Sequence, residues 1–214
     1  MALSKADFNN INVTPAASKK LKWNASANGF ETGDVGGSIV LLSTLTASSS
    51  ATLDFTSGID STYKEYVFKF IDIHPQTNFR HLGFQANVAG ASGFNETITS
   101  SAFINQHNES DSATILQLEG DGIQQQATGF QIVLYGMGNE NDESGNGTLH
   151  LFDPSNTTFV KHFIADTNTH TDDDRSSRFF VGGYFNTTSA IDEIQFKMSS
   201  GNIDSGTIKM YGIV

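Results

Sequence analysis

Glu193-Ile194-Gln195-Phe196-Lys197-Met198 places Ile194, Phe196 and Met198 on one side of an extended chain and three polar residues on the other. That period of two is the pattern of a half-buried β-strand. Ile208 and Met210 alternate with Lys209 and Tyr211 in the same way, and Phe130, Ile132 and Leu134 line one side of another segment. Across Tyr63–Ile73, Tyr66, Phe68 and Phe70 fill one face while Val67, Ile71 and Ile73 partly fill the other, which predicts a central strand covered on both sides. Further strands are expected over 38–46, 50–56, 80–86, 97–104, 113–118, 147–152, 157–165 and 178–186. Turn-forming clusters separate them, including Gly90-Ala91-Ser92-Gly93, Glu119-Gly120-Asp121-Gly122, Asn139–Gly147 and Asp153-Pro154-Ser155-Asn156. Beyond residue 30 no window keeps the i, i+3, i+4, i+7 spacing of a helix, and no repeat of fixed period is present. Many short strands with Gly, Asn and Ser turns predict an all-β protein, a jelly-roll-like antiparallel β sandwich over residues 38–214.

Composition agrees. The 214 residues suit one all-β domain or one domain with a small appendage, and a domain of this size removes roughly 70% of its unfolded surface from water without needing staples. With no cysteine, disulfides and thiolate-based metal or nucleophilic sites are excluded. Only 16% of residues are charged; 61 residues are Ser, Thr or Asn, so solubility rests on neutral polar groups. The net charge of -11 argues against nucleic-acid binding, which needs clustered positive surface. No apolar run approaches the ~20 residues of a membrane-spanning helix. The first residues lack the charged start and apolar stretch of a secretion signal, so the chain is expected to be made and folded in the cytoplasm.

The candidate chemistry is sparse. No Gly-x-Ser-x-Gly elbow selects one of the 23 serines, and the six histidines (74, 81, 107, 150, 162 and 170) are dispersed. His150 and His162 lie inside alternating strands, as hydrogen-bonded, partly buried imidazoles do. Asn139–Gly147 and Asp172-Asp173-Asp174 are rich in hard oxygen ligands but lack EF-hand spacing, and they read as solvated acidic loop tips. Seven Asn-x-Ser/Thr triplets are what so much Asn, Ser and Thr produces by chance. A sugar site would stack its ligand on an exposed Trp or Tyr, and the sole tryptophan, Trp23, lies outside the β body. The expectation is a protein with no catalytic residues, no cofactor and no metal.

Charge singles out the start of the chain. Residues 1–30 carry Lys5, Lys19, Lys20 and Lys22 against Asp7, net +3, whereas residues 31–214 are net -14. Thr14-Pro15-Ala16-Ala17-Ser18-Lys19-Lys20-Leu21-Lys22 reads as a short helix, with Thr14 as N-cap, Pro15 at the first position and lysines in the last turn. Residues 1–37 are expected to form an extended attachment arm and linker. Its candidate partner-binding residues are Lys5, Phe8, Ile11, Val13, Lys19, Lys20, Leu21, Lys22 and Trp23: apolar side chains too sparse for a core of their own, and lysines that steer docking onto an acidic surface.

Three stretches carry a family resemblance: Lys5–Asn24 (KADFNNINVTPAASKKLKWN), Thr46–Tyr63 (TASSSATLDFTSGIDSTY) and Lys197–Gly212 (KMSSGNIDSGTIKMYG). They resemble segments of virion structural proteins of tailed bacteriophages, particularly marine and cyanobacterial ones. The resemblance implies a non-enzymatic protein of the virion exterior, often a homotrimer, attached to other virion proteins through its N-terminal segment. A capsid decoration (cement) protein docked on the major capsid protein is the expected member, because 214 residues without repeats leave no room for a fibre shaft. The alternative is a tail fibre or tail appendage that binds host-surface carbohydrate.

Overall fold

Strand β5 (Glu65–Pro75) carries the aromatic run in the interior of the largest of three sheets. The computed structural model describes residues 19–26, 29–34 and 39–214, all β-strand, turn or loop apart from one 3-10 turn at Gly120–Gly122. The chain divides into two units, residues 1–38 and 39–214. In the first, β1 (Lys19–Trp23) pairs antiparallel with β2 (Phe30–Asp34).

In the second unit the strands in chain order are β3 (Ile39–Thr46), β4 (Leu53–Phe55), β5, β6 (Arg80–Val88), β7 (Ile98–Asn108), β8 (Thr114–Leu118), β9 (Gln125–Ala127), β10 (Gln131–Met137), β11 (Gly145–Phe152), β12 (Lys161–His170), β13 (Arg175–Phe185), β14 (Ile191–Met198) and β15 (Ile203–Ile213). The small sheet runs β10-β6-β14-β4 and the large one β3-β15-β5-β11-β12-β13-β7-β8, with β9 also on β7; every pairing is antiparallel. Four of the pairings are nested: β3 with β15, β4 with β14, β5 with β11 and β6 with β10. The inserted strands β7–β9 and β12–β13 all join the large sheet. Strand β10, at the edge of the small sheet, packs over β11, β12 and β13 and meets β7 through the Ser100–Gln131 hydrogen bond, so the far end of β7 and β8 reach beyond it as an overhang.

Phenylalanines join the two sheets. Phe196 on β14 meets Phe68 and Phe70 of β5 at 5.4 and 5.5 Å between ring centres, and Phe84 on β6 meets Phe163 of β12 at 5.0 Å. All five are buried. The Phe70–Phe196 and Phe84–Phe163 pairs are edge-to-face, a geometry that adds about 0.5–1.5 kcal/mol per pair to the burial of the rings themselves.

Four expectations need correction. Lys19–Trp23, the end of the expected helix, is strand; residues 14–18 lie outside the described residues. So short a helix has little stability alone, and Lys20 and Lys22 alternate with Leu21 and Trp23 as a hairpin strand requires. The outer face of β5 is covered only in part: Val67 is buried but Ile71 is exposed, and Ile73 reaches the core because Asp72, with φ of 50°, interrupts the alternation. The segment 139–147 is only partly loop, since β11 begins at Gly145 and Glu143 is buried. The strand expected over 157–165 instead spans Lys161–His170.

Candidate functional site

The overhang and the edge of β10 enclose a cleft of about 410 Å³. Ile104 and Gln106 of β7 and Gln117 of β8 line the side belonging to the large sheet. Tyr135 of β10 and Phe79, from the β5–β6 turn, line the other, and Thr171–Asp173 with Arg175 close one end. Ile104 and Gln117 are cross-strand partners, which places both on the inner face of the overhang.

Phe79 is held where few phenylalanines go. Its φ is 50°, in the left-handed region, which costs an L-residue roughly 1–2 kcal/mol. The ring is 42% exposed, lies 5.4 Å from His81 and 6.2 Å from Tyr135, and passes over Gly136, where an added Cβ would stand 3.1 Å from it. Gly136 itself has φ of 67°, a conformation that suits glycine. Its N–H donates to His81 Nδ1 at 2.8 Å, which fixes the neutral imidazole with its proton on Nε2. Burial holds the His81 pKa below its ordinary value; Arg80 acts in the same direction and Asp121 opposes it. The His81 and Tyr135 rings lie 4.5 Å apart. Burial pushes the Tyr135 phenol up, and Glu119, its hydrogen-bond partner, together with Asp121 adds to that rise.

Turn-to-turn hydrogen bonds brace the cleft's end. Thr171 Oγ1 donates to Asp173 Oδ1 at 2.6 Å and accepts from the Arg175 N–H at 3.2 Å, while Asp173 pairs with Arg175 at 2.6 Å. Asn78 donates to Asp172 at 3.4 Å and accepts from the Asn139 N–H at 3.2 Å, which ties three loops together. Beside the cleft, Glu143, His170 and Asp174 each bring one possible ligand atom within 4.8 Å of the others, a nitrogen-and-carboxylate set that could hold a divalent cation. Glu143 is tucked against Gly138, where any Cβ would collide with its carboxylate, and it accepts the Glu140 N–H. The two acidic segments thus meet as a partly buried group instead of standing apart as solvated tips.

Lys5, Phe8, Ile11 and Val13 lie outside the described residues, and of Lys19 only the backbone is described. Lys20, Leu21, Lys22 and Trp23 are on β1. Trp23 faces Phe30 across the hairpin, with ring centres 4.4 Å apart and stacked; Trp23 is 61% exposed, and Leu21 and Phe30 are exposed beside it. The lysines are on the opposite face, where Lys22 pairs with Glu31 at 3.1 Å. With Glu31 and Asp34 added, the four lysines of residues 1–38 face three carboxylates, so the basic character read over 1–30 is largely offset within this unit.

Sequence reasoning missed Phe79, Gln106, Gln117, Glu119, Tyr135 and Arg175 as a group. They come from five separate segments, and only the insertion of β7–β9 between β6 and β10 draws them together. Comparison of the chain with protein families, with curated proteins and with solved structures finds no match.

Proposed function

We propose that the protein is a non-enzymatic virion structural protein with a jelly-roll body, most simply a capsid decoration protein, attached to its particle by the N-terminal unit. The nested pairing β3–β15, β4–β14, β5–β11 and β6–β10 supports the jelly-roll reading, because it is the pattern of one long hairpin rolled into two sheets.

The observation that carries the attachment role is the β1–β2 hairpin. An isolated two-stranded hairpin is at best marginally stable in water. This one exposes Leu21 and the stacked Trp23–Phe30 pair on one face. Burying a side chain of that kind contributes about 1.5–3 kcal/mol, more than an exposed ion pair such as Lys22–Glu31. Apolar contact with a partner therefore holds the unit, and the lysines guide it.

Self-association, expected as a homotrimer, has its best-placed surface on β8. That strand, Thr114–Leu118, has no charge and, among the described residues, a free edge, and it exposes Leu116 (73%) and Leu118 (75%) on a body of strong negative charge. Unprotected edges of this kind pair readily with another chain. The alternative role, a tail appendage that binds host carbohydrate, draws its support from the cleft. Adding purified protein to particles that lack it and imaging them singly tests the proposal: new density on the capsid supports decoration, density on the tail supports the alternative, and none on either overturns both.

A further inference from the structure

We propose that the cleft under the overhang is a binding site for a neutral hexopyranose, such as the terminal sugar of a surface glycan. The assignment stands on the cleft alone, whatever the position of the protein on a particle.

One wall is aromatic. The exposed ring of Phe79 offers the electron-rich face against which the C–H face of a pyranose packs. A strained backbone holds that ring at the rim over Gly136, a position a bulky residue leaves unless the surroundings impose it. The rest of the lining is polar: Gln117 and Gln106, whose amide also donates to Ser177, offer both donors and acceptors, while Glu119 and, at the closed end, Asp172 offer acceptors only. Sugar hydroxyls, which donate and accept in pairs, match that mixture. Charge narrows the class. Three carboxylates, those of Glu119, Asp172 and Asp173, face one guanidinium, and Asp173 already engages Arg175 at 2.6 Å. A phosphate, sulfate, uronate or sialate would enter a site with excess negative charge. The volume, about 410 Å³, lies in the range of small-molecule sites and suits one sugar unit with room for its linkage.

Saturation-transfer NMR on the full chain tests this with the methyl α-glycosides of glucose, galactose and mannose, and with N-acetylneuraminate and choline for comparison. At least one hexoside should receive saturation on its ring protons and bind with a dissociation constant of about 1 mM. Phe79→Ala should weaken that binding by about tenfold or more, equivalent to roughly 1.4 kcal/mol. Phe79→Trp should retain it, as should Phe159→Ala, which removes an exposed aromatic elsewhere. Thermal melting of each variant separates loss of binding from loss of fold. The proposal is overturned if no hexoside binds, if N-acetylneuraminate or choline binds in preference, or if a folded Phe79→Ala protein binds undiminished.

Discussion

The Gly136 N–H donates to Nδ1 of His81, and that bond fixes the tautomer of the imidazole beside Tyr135. Protonation at Nδ1 would break it and leave a charge under the Tyr135 ring.

This coupling predicts the direction of a pH effect. Burial lowers the His81 pKa in the folded state below the 6.5 of the free side chain. Between those two values the unfolded chain carries the proton and the folded chain does not, so stability rises with pH. The His81 contribution is fully present above pH 6.5 and is lost as pH falls through the lowered folded value. Urea midpoints measured from pH 7 downward should show that loss, and His81→Gln should flatten it. A slope unchanged in the variant would assign the effect to other groups.

Phe196 joins the two sheets through four rings, those of Phe55, Phe68, Phe70 and Phe84. Phe196→Ala should cost about 3–5 kcal/mol in denaturant unfolding. Phe79→Asn removes ring contacts but relieves a left-handed phenylalanine, so it should stay within about 1 kcal/mol of the parent. If the two substitutions cost the same, Phe79 is a packing residue and its strain has no bearing on binding.

Much of the fold was legible because strand alternation is local. Ile194, Phe196 and Met198 are all buried on β14, as their spacing predicts. Prediction failed where the backbone departs from alternation. Asp72 reverses which side Ile73 faces, and Lys19–Trp23 became strand through pairing with residues that begin seven positions further on. The cleft was illegible for a different reason. Phe79 and Tyr135 lie 56 positions apart in the sequence, and only the order β10-β6 in the small sheet brings their rings to 6.2 Å. The sequence points to Trp and Tyr as stacking rings, whereas the exposed ring at the cleft is a phenylalanine in a turn.

The free edge of β8 gives a prediction for assembly. Replacing Leu116 and Leu118 together by lysine should reduce the mass seen by light scattering and leave the unfolding midpoint nearly unchanged, since both side chains are largely exposed already. A protein that is monomeric before the change would remove β8 as an assembly surface.

Within the N-terminal unit, the apolar face and the lysines should separate by salt. Trp23→Ala with Phe30→Ala should weaken particle binding at all ionic strengths. Lys19, Lys20 and Lys22 changed to Glu should weaken it less, with the larger effect at low salt. The reverse order would make the attachment electrostatic.

The central claim is that residues 1–38 attach the protein and residues 39–214 do not. Its most direct measurement is co-sedimentation of particles with the full chain and with residues 39–214 alone, after circular dichroism has established that the truncated protein keeps its β spectrum. The account predicts a folded body that stays in the supernatant while the full chain pellets. A folded body that pellets with particles as fully as the intact protein would contradict it.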